Sequence, residues 1–319
     1  MTDKRSSGRG PMPARLLDGG TTAGRLRAAL QDLRPQIVHI ACGSGWSFRE
    51  AAVHAALARR AGARVVLHLH AASLEQWWHS SAVQRPLIRR VLGAADAVAV
   101  LSPGIRDWLA ARGVPAARLW VVPNGVPVPA PRVAPTAEPP LRLLVVGSVE
   151  PRKGVQDLIA ALRGCPPAVR SGLQVRWIGP EQGRLGAWQA RAAGLPITFT
   201  GAAPPDAVQE ALRTAHALLL PSRREGLPFA LLEAMAVGVP VLATDTGAIG
   251  ELLEGGAGVV VPPAAPAAIT AALQTWVGDP TALLAQGEAG RARILARHGI
   301  EHTMQGLDAV WTALGGASP

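Results

Sequence analysis

The feature that most constrains this chain is an alternation that runs its whole length. Short apolar runs, many of them rich in β-branched residues, recur at 37–40, 65–69, 97–101, 119–122, 141–146, 173–178, 197–200, 217–220, 239–243 and 259–261, and alanine- and leucine-rich stretches separate them. Most of these runs are apolar throughout, as strands covered on both faces are. Helical segments between such strands give βαβ units and parallel sheets. The expected class is α/β and Rossmann-like. A stiff proline-rich segment at 123–140 lies between two such series and marks a boundary. The 319 residues therefore divide into two doubly wound domains, 1–138 and 139–319, facing each other across a ligand cleft. Ligands of open parallel sheets sit beyond the carboxyl ends of the strands, so chemistry is expected in the loops that follow them.

The formal charge of +10 suits nucleic acid, an anionic membrane surface or phosphorylated ligands. Nucleic acid is disfavoured: there is no tyrosine, there are three phenylalanines, and the nine tryptophans do not form a stacking run among arginines. Cys42 and Cys165 have no ligand-like spacing and support neither a disulfide framework nor a zinc site, which fits a reducing cytoplasm. The first residues carry charge with no apolar core behind them, so no signal peptide is expected. Residues 255–278 carry no charge, but Pro262, Pro263 and Pro266 interrupt them. That stretch reads as strand, turn and helix rather than a membrane span. A dehydrogenase would need a Gly-x-Gly-x-x-Gly turn between strand and helix, and none stands there.

The most specific stretch is 221–236. Pro221, Ser222, Arg223, Arg224, Glu225, Gly226, Leu227 and Pro228 lead into the apolar helical run that starts at Phe229. Pro228 suits a first helical turn, where its missing N–H costs nothing. A helix N-terminus presents unpaired N–H groups and a positive dipole end, which favour a phosphate. Gly226 lets a ligand approach the backbone. Glu233 is the lone carboxylate on this helix and must find a partner, either an arginine elsewhere in the domain or the hydroxyls of a ribose.

This stretch resembles the retaining glycosyltransferases of family 4, whose fold is GT-B. Their signature is two glutamates separated by seven residues, which Glu225 and Glu233 match, with Ser222, Gly226, Pro228, Gly238 and Pro240 around them. The resemblance implies that Glu225 contacts the donor sugar, that Glu233 holds the nucleotide ribose, and that the backbone of Gly226, Leu227, Pro228 and Phe229 approaches the diphosphate. A second match follows the strand 141–146, at Gly147, Ser148, Glu150, Pro151, Arg152, Lys153 and Gly154. The family places a cation at Lys153 to neutralise the diphosphate. Such a charge stabilises a transition state in which the leaving group becomes more negative. Many members carry an arginine where this chain has Ser148, and Arg152 is the candidate replacement. An adjacent Arg-Lys pair is otherwise usually a solvated surface.

Gly179 within Ile178-Gly179-Pro180 and the run Phe199-Thr200-Gly201 resemble loops near the base. Asn124-Gly125-Val126 resembles the motif before the linker, and His39 a histidine that ends an early strand. His70 matches a histidine near the donor sugar, and is equally readable as structural. The resemblance implies a hexosyl transfer from a UDP-, GDP- or ADP-sugar to a carbohydrate or lipid-linked acceptor, in polysaccharide or glycolipid synthesis. No cofactor is expected, and the chain has neither an Asp-x-Asp pair nor clustered metal ligands. The alternative is a catalytically weak protein that only binds nucleotide-sugar.

Two further expectations concern the first domain. The family opens with a strand and a glycine-rich loop, of which Asp18-Gly19-Gly20 is a poor echo. The first βα unit is therefore expected to be missing, and the last helix is free to pack back on this domain. Trp77-Trp78 followed by Arg85, Arg89 and Arg90 reads either as an interfacial helix that rests on the anionic inner face of a membrane or, equally, as a core-packed helix with a solvated face.

Overall fold

The computed structural model describes residues 12–71, 74–80, 82–136, 138–181 and 185–315. Ten strands form two parallel sheets. The first contains β1 (Ile37–Cys42), β2 (Arg64–Leu69), β3 (Ala97–Val100) and β4 (Leu119–Val121), in chain order. The second contains β5 (Leu141–Val146), β6 (Leu173–Ile178), β7 (Ile197–Phe199), β8 (Ala217–Leu220), β9 (Val241–Thr244) and β10 (Val259–Val261). Its order is β10-β9-β8-β5-β6-β7, so the direction of winding reverses between β5 and β8. Each sheet belongs to its own compact unit. One comprises the residues up to Val122 together with those from Met304 onward, and the other comprises Pro123–Thr303. The proline-rich segment thus travels with the second unit.

In the second unit the apolar runs bury as expected of strands covered on both faces. Leu143, Val145, Val175, Trp177 and Leu219 share one core with Leu158, Leu162, Ile269 and Trp276 from the connecting helices. The charge-free stretch resolves into β10 and the helix Pro266–Gly278. No helix among the described residues is long and apolar enough to cross a membrane.

The first described element of the first unit is a helix, Met12–Leu33. Asp18, Gly19 and Gly20 lie inside that helix rather than in a loop. Right-handed crossovers between strands taken in chain order put their helices on one face. There, Val65, Leu67, Leu69, Val98 and Val100 pack with Phe48, Ala55, Ile88, Leu92 and Leu109. The alternate residues Val66, Ala97 and Ala99 face the other way, and Val310, Leu307 and Trp311 of the final helix, Ile300–Ala313, pack against them.

That second face carries a histidine row. His68 stacks on His70 with ring centroids 4.2 Å apart and on His39 at 5.4 Å. His68 Nε2 donates to the Val122 carbonyl at 3.0 Å, and the Trp311 indole donates to His39 Nδ1 at 3.2 Å. Burial, with neighbouring His70 adding to it, pulls His68 from 6.5 down to about 3 and lowers His39 as well. An unfolded chain takes up these protons near pH 6.5, and the folded chain does not. Stability is therefore complete above that value and is lost as pH falls through the window toward 3. His68→Asn is expected to lose less melting temperature than the parent between pH 7 and pH 5. Equal losses would remove His68 from this account.

Candidate active site

The order reverses between β5 and β8, and the carboxyl ends of strands at such a switch point are where open parallel sheets bind ligands. Two loops meet there. After β5 the chain runs through Gly147 into a single 3-10 turn, Pro151–Lys153, and Gly154 at φ 75° starts the helix Val155–Gly164. After β8 it runs through residues 221–227 to the helix Phe229–Ala236. Pro228 is the N-cap of that helix, at ψ 135°, rather than a residue of its first turn.

The loops are stitched together. Lys153 Nζ donates to Glu225 Oε1 at 2.6 Å, and Arg152 Nη1 lies 3.8 Å from the same oxygen. Glu225 is buried, so its charge depends on these cations. Arg223 binds both oxygens of buried Asp157, at 2.7 and 2.8 Å, and its backbone N–H donates to the Arg152 carbonyl at 2.8 Å. Ser148 Oγ donates to Glu150 Oε1 at 2.5 Å, and Arg152 Nη2 donates to that oxygen at 2.8 Å. Ser148 thus joins the network that holds Arg152, and the Arg-Lys pair is no free surface.

Gly147 and Gly179 pack where no side chain fits well. A Cβ at Gly179 would lie 1.9 Å from the Gly147 carbonyl oxygen, and one at Gly147 would lie 3.3 Å from Lys153 Cε. Gly147 also accepts from the Trp177 indole at 2.8 Å, which pins the end of β5 to β6.

Glu233 sits half-buried on the helix Phe229–Ala236. Burial raises its carboxyl above the ordinary range, and among the described residues no ion pair reaches it. The arginine partner that was one of the two alternatives for Glu233 is therefore not found among the described residues. Phe229 is 52% exposed at the start of the same helix, beside buried Leu227 and Gly226.

His70 belongs to the first unit, just past β2, where its N–H donates to the Cys42 carbonyl at 2.8 Å. The structure brings together Gly147, Ser148, Arg152, Lys153, Gly179 and Glu225, with Gly226, Leu227, Pro228, Phe229 and Glu233 on the adjoining loop and helix. Sequence reasoning missed Asp157, and it read Glu150 and Asn124 only as parts of motifs, without their partners. Asp157 left a trace as the single acidic residue in the first turn after Gly154. No group of three or more metal-ligating side chains occurs among the described residues.

Two Rossmann-like units, with phosphate-suited loops at the switch point of the second, match the GT-B fold. The family model described as "Glycosyl transferases group 1" matches residues 130–293, and the one described as "Glycosyltransferase Family 4" matches residues 3–128. The chain belongs to glycosyltransferase family 4. It is 33% identical over 160 residues to a glycogen synthase of Mycobacterium tuberculosis, covering 49% of this chain and 38% of that protein. It is 32% identical over 265 residues to a GDP-mannose-dependent α-(1-6)-phosphatidylinositol monomannoside mannosyltransferase of Mycolicibacterium smegmatis, covering 74% and 66%. The chain thus spans less than two thirds of the length of these relatives. Among solved structures, sucrose-phosphate synthase of Thermosynechococcus elongatus superposes with a TM-score of 0.78 at 21% identity, covering 96% of this chain and 80% of that one. Anabaena HepE in complex with UDP and glucose superposes with a TM-score of 0.74 at 18% identity, covering 92% and 83%.

Proposed function

We propose that this chain is a retaining, metal-independent hexosyltransferase that takes its sugar from a nucleotide-sugar donor and serves polysaccharide or glycolipid synthesis. The observation that carries this reading is the meeting of Lys153 and Glu225 at the switch point, beside the N-terminus of the helix Phe229–Ala236. The donor diphosphate lies against Lys153 and Arg152, near the N–H groups at the start of that helix. A diphosphate that draws Lys153 to itself frees Glu225 to accept from a sugar hydroxyl. As the glycosidic bond breaks, negative charge grows on the leaving phosphate, and the two cations stabilise it more than the ground state. Glu233, half-buried and without an ion pair among the described residues, accepts from the ribose hydroxyls. His70 faces the donor sugar in this reading, and Ser148, Gly147 and Gly179 shape the floor.

The relatives support a nucleotide-linked donor. HepE has been solved with UDP and with UDP-glucose, and the Mycolicibacterium smegmatis enzyme is GDP-mannose-dependent. A panel of UDP-, GDP- and ADP-sugars read by thermal shift tests the reading, because a bound donor raises the melting temperature by mass action. One nucleotide series is expected to shift it. No shift with any of them would overturn the donor site. Transfer to an acceptor, rather than binding alone, separates the enzyme from a catalytically weak binding protein.

The working place of the enzyme is the cytoplasm, with peripheral contact to an anionic inner membrane face. Trp78 is not the anchor, being 4% exposed with Arg89 over its ring at 5.4 Å, and half-buried Trp77 packs on Phe48. The exposed apolar residues are Val83, at 86%, and Leu87, beside Arg89 and Arg90 at the start of the helix Gln84–Ala94. Apolar side chains ringed by arginines suit an anionic bilayer surface. Cosedimentation with anionic but not neutral vesicles is expected, and Leu87→Glu should weaken it. Equal behaviour with both vesicles would sink the idea.

A further inference from the structure

Asn124 stands two residues beyond Val122, where the chain enters the second unit, and is 6% exposed. Its backbone is fixed from several sides. The His298 Nδ1–H donates to the Asn124 carbonyl at 3.1 Å, and Thr303 Oγ1 donates to the Pro123 carbonyl at 2.9 Å. The Val126 N–H donates to the His298 carbonyl and the Ile300 N–H to the Val126 carbonyl, each at 2.9 Å. Gly125 sits so close that a Cβ would lie 2.3 Å from Thr303 Oγ1 and 2.7 Å from the Gly299 carbonyl oxygen. The Asn124 side chain leaves this clasp and donates through Nδ2 to the Leu227 carbonyl at 2.7 Å.

Leu227 lies between the Glu225–Gly226 pair and the N-cap Pro228. The carbonyl before it, that of Gly226, accepts from the Ala248 N–H at 2.9 Å. Peptide groups are planar and trans, so a Gly226 carbonyl held toward Ala248 turns the Leu227 N–H to the opposite side. The Leu227 carbonyl is fixed in turn by Asn124, and its plane includes the Pro228 nitrogen. Two successive peptide planes are thus locked, and with them the angle at which the helix Phe229–Ala236 starts. Pro228 has no N–H of its own, so the Leu227 carbonyl is the handle by which that plane is held.

We infer that Asn124 is a positioning residue. Its side-chain amide holds the Leu227 carbonyl and thereby aims the 226–229 backbone and the helix behind it at the donor diphosphate. The inference rests on the donor site proposed above and adds to it a residue about a hundred positions upstream. It also ties the point where the chain enters the second unit to the donor loop through one hydrogen bond.

Asn124→Asp keeps the shape and replaces the donor by an acceptor facing a carbonyl, and Asn124→Ala removes the group. Thr303→Val breaks the neighbouring Thr303–Pro123 bond without touching the loop, and serves as the control. In the ligand-free chain, hydrogen exchange over 226–232 is expected to quicken about tenfold in both Asn124 variants, the scale of one lost buried hydrogen bond, and to stay unchanged in Thr303→Val. Dissociation constants for UDP, GDP or ADP, whichever binds the parent, should rise about tenfold in the same two variants, with donor KM rising more than kcat falls. Unchanged exchange over 226–232, or the same change in Thr303→Val, would overturn the inference. Should the parent bind none of UDP, GDP and ADP, the donor reading is what suffers, and the exchange experiment still decides the role of Asn124.

Discussion

Replacing Lys153 with alanine is expected to lower turnover by about a hundredfold or more, the usual scale for a lost charge-stabilising contact. Two consequences add up in that variant. The leaving diphosphate loses the cation that stabilises it, and buried Glu225 loses the 2.6 Å partner that balances its charge. Glu225→Gln separates the two, because it removes the carboxylate and leaves Lys153 for the diphosphate. It too is expected to cost about a hundredfold in turnover if the carboxylate acts on the sugar. Glu233→Ala should instead raise donor KM with kcat nearly kept, since a ribose contact exists in ground and transition states alike. Steady-state kinetics with the donor found by thermal shift would check all three. Near-normal turnover in Glu225→Gln would remove it from the chemistry.

Gly154→Ala is expected to destabilise the second unit more than any single contact in the site. At φ 75° an alanine there is strained, roughly 1–2 kcal/mol for an L-residue in left-handed backbone. The larger effect is steric. A Cβ would lie 1.8 Å from the Pro221 carbonyl oxygen and 2.6 Å from its carbon, and both are backbone atoms that cannot swing away. The loops after β5 and β8 would have to part, taking Lys153 from Glu225 and Arg223 from Asp157. A loss beyond about 4 kcal/mol places this among the exceptional substitutions. Gly194 is the control, because its φ is 76° and a Cβ there meets nothing within 4 Å. Gly194→Ala should show the strain alone, about 1–2 kcal/mol by denaturant midpoint. Similar midpoints for the two variants would mean that the loops separate at little cost.

The ten strands described were legible because each is mostly apolar, and single polar residues such as Arg142 in β5 and Arg176 in β6 did not hide the runs. Their ends moved by a residue or two for local reasons. The run at 239–243 pairs only from Val241, since Pro240 has no N–H to give a neighbouring strand. The same proline logic failed at Pro228, where extended ψ makes it the cap of its helix. Lys153 and Glu225 could be paired from afar, because each follows a strand at the switch point and each matches a motif. Asp157, Asn124 and the histidine row could not. Asn124 and Leu227 lie 103 positions apart, and His39 and Trp311 lie 272 apart. A single polar residue with a single distant partner leaves no period for a sequence to display. Strand parity puts residues 66, 68 and 70 on one face, yet nothing in the chain announces that β1 brings His39 against them. Trp77 and Trp78 left two readings open, since a Trp78 buried under Arg89 and a Trp77 packed on Phe48 give the same letters as an interfacial anchor.

The final helix covers the second face of the first sheet, and this sets an order of events during synthesis. Residues 123–303 form a continuous unit and can fold as soon as they emerge from the ribosome. The first sheet cannot, because Val66, Ala97, Ala99 and Val122 wait for Val310 before their side of the core closes. The first sheet is thus translated before the second unit and completed after it, with an apolar face uncovered while everything between is made. A nascent chain of this design needs that face shielded for some 180 residues of elongation, and a chain cut short before Met304 would leave the first sheet unfinished rather than the second.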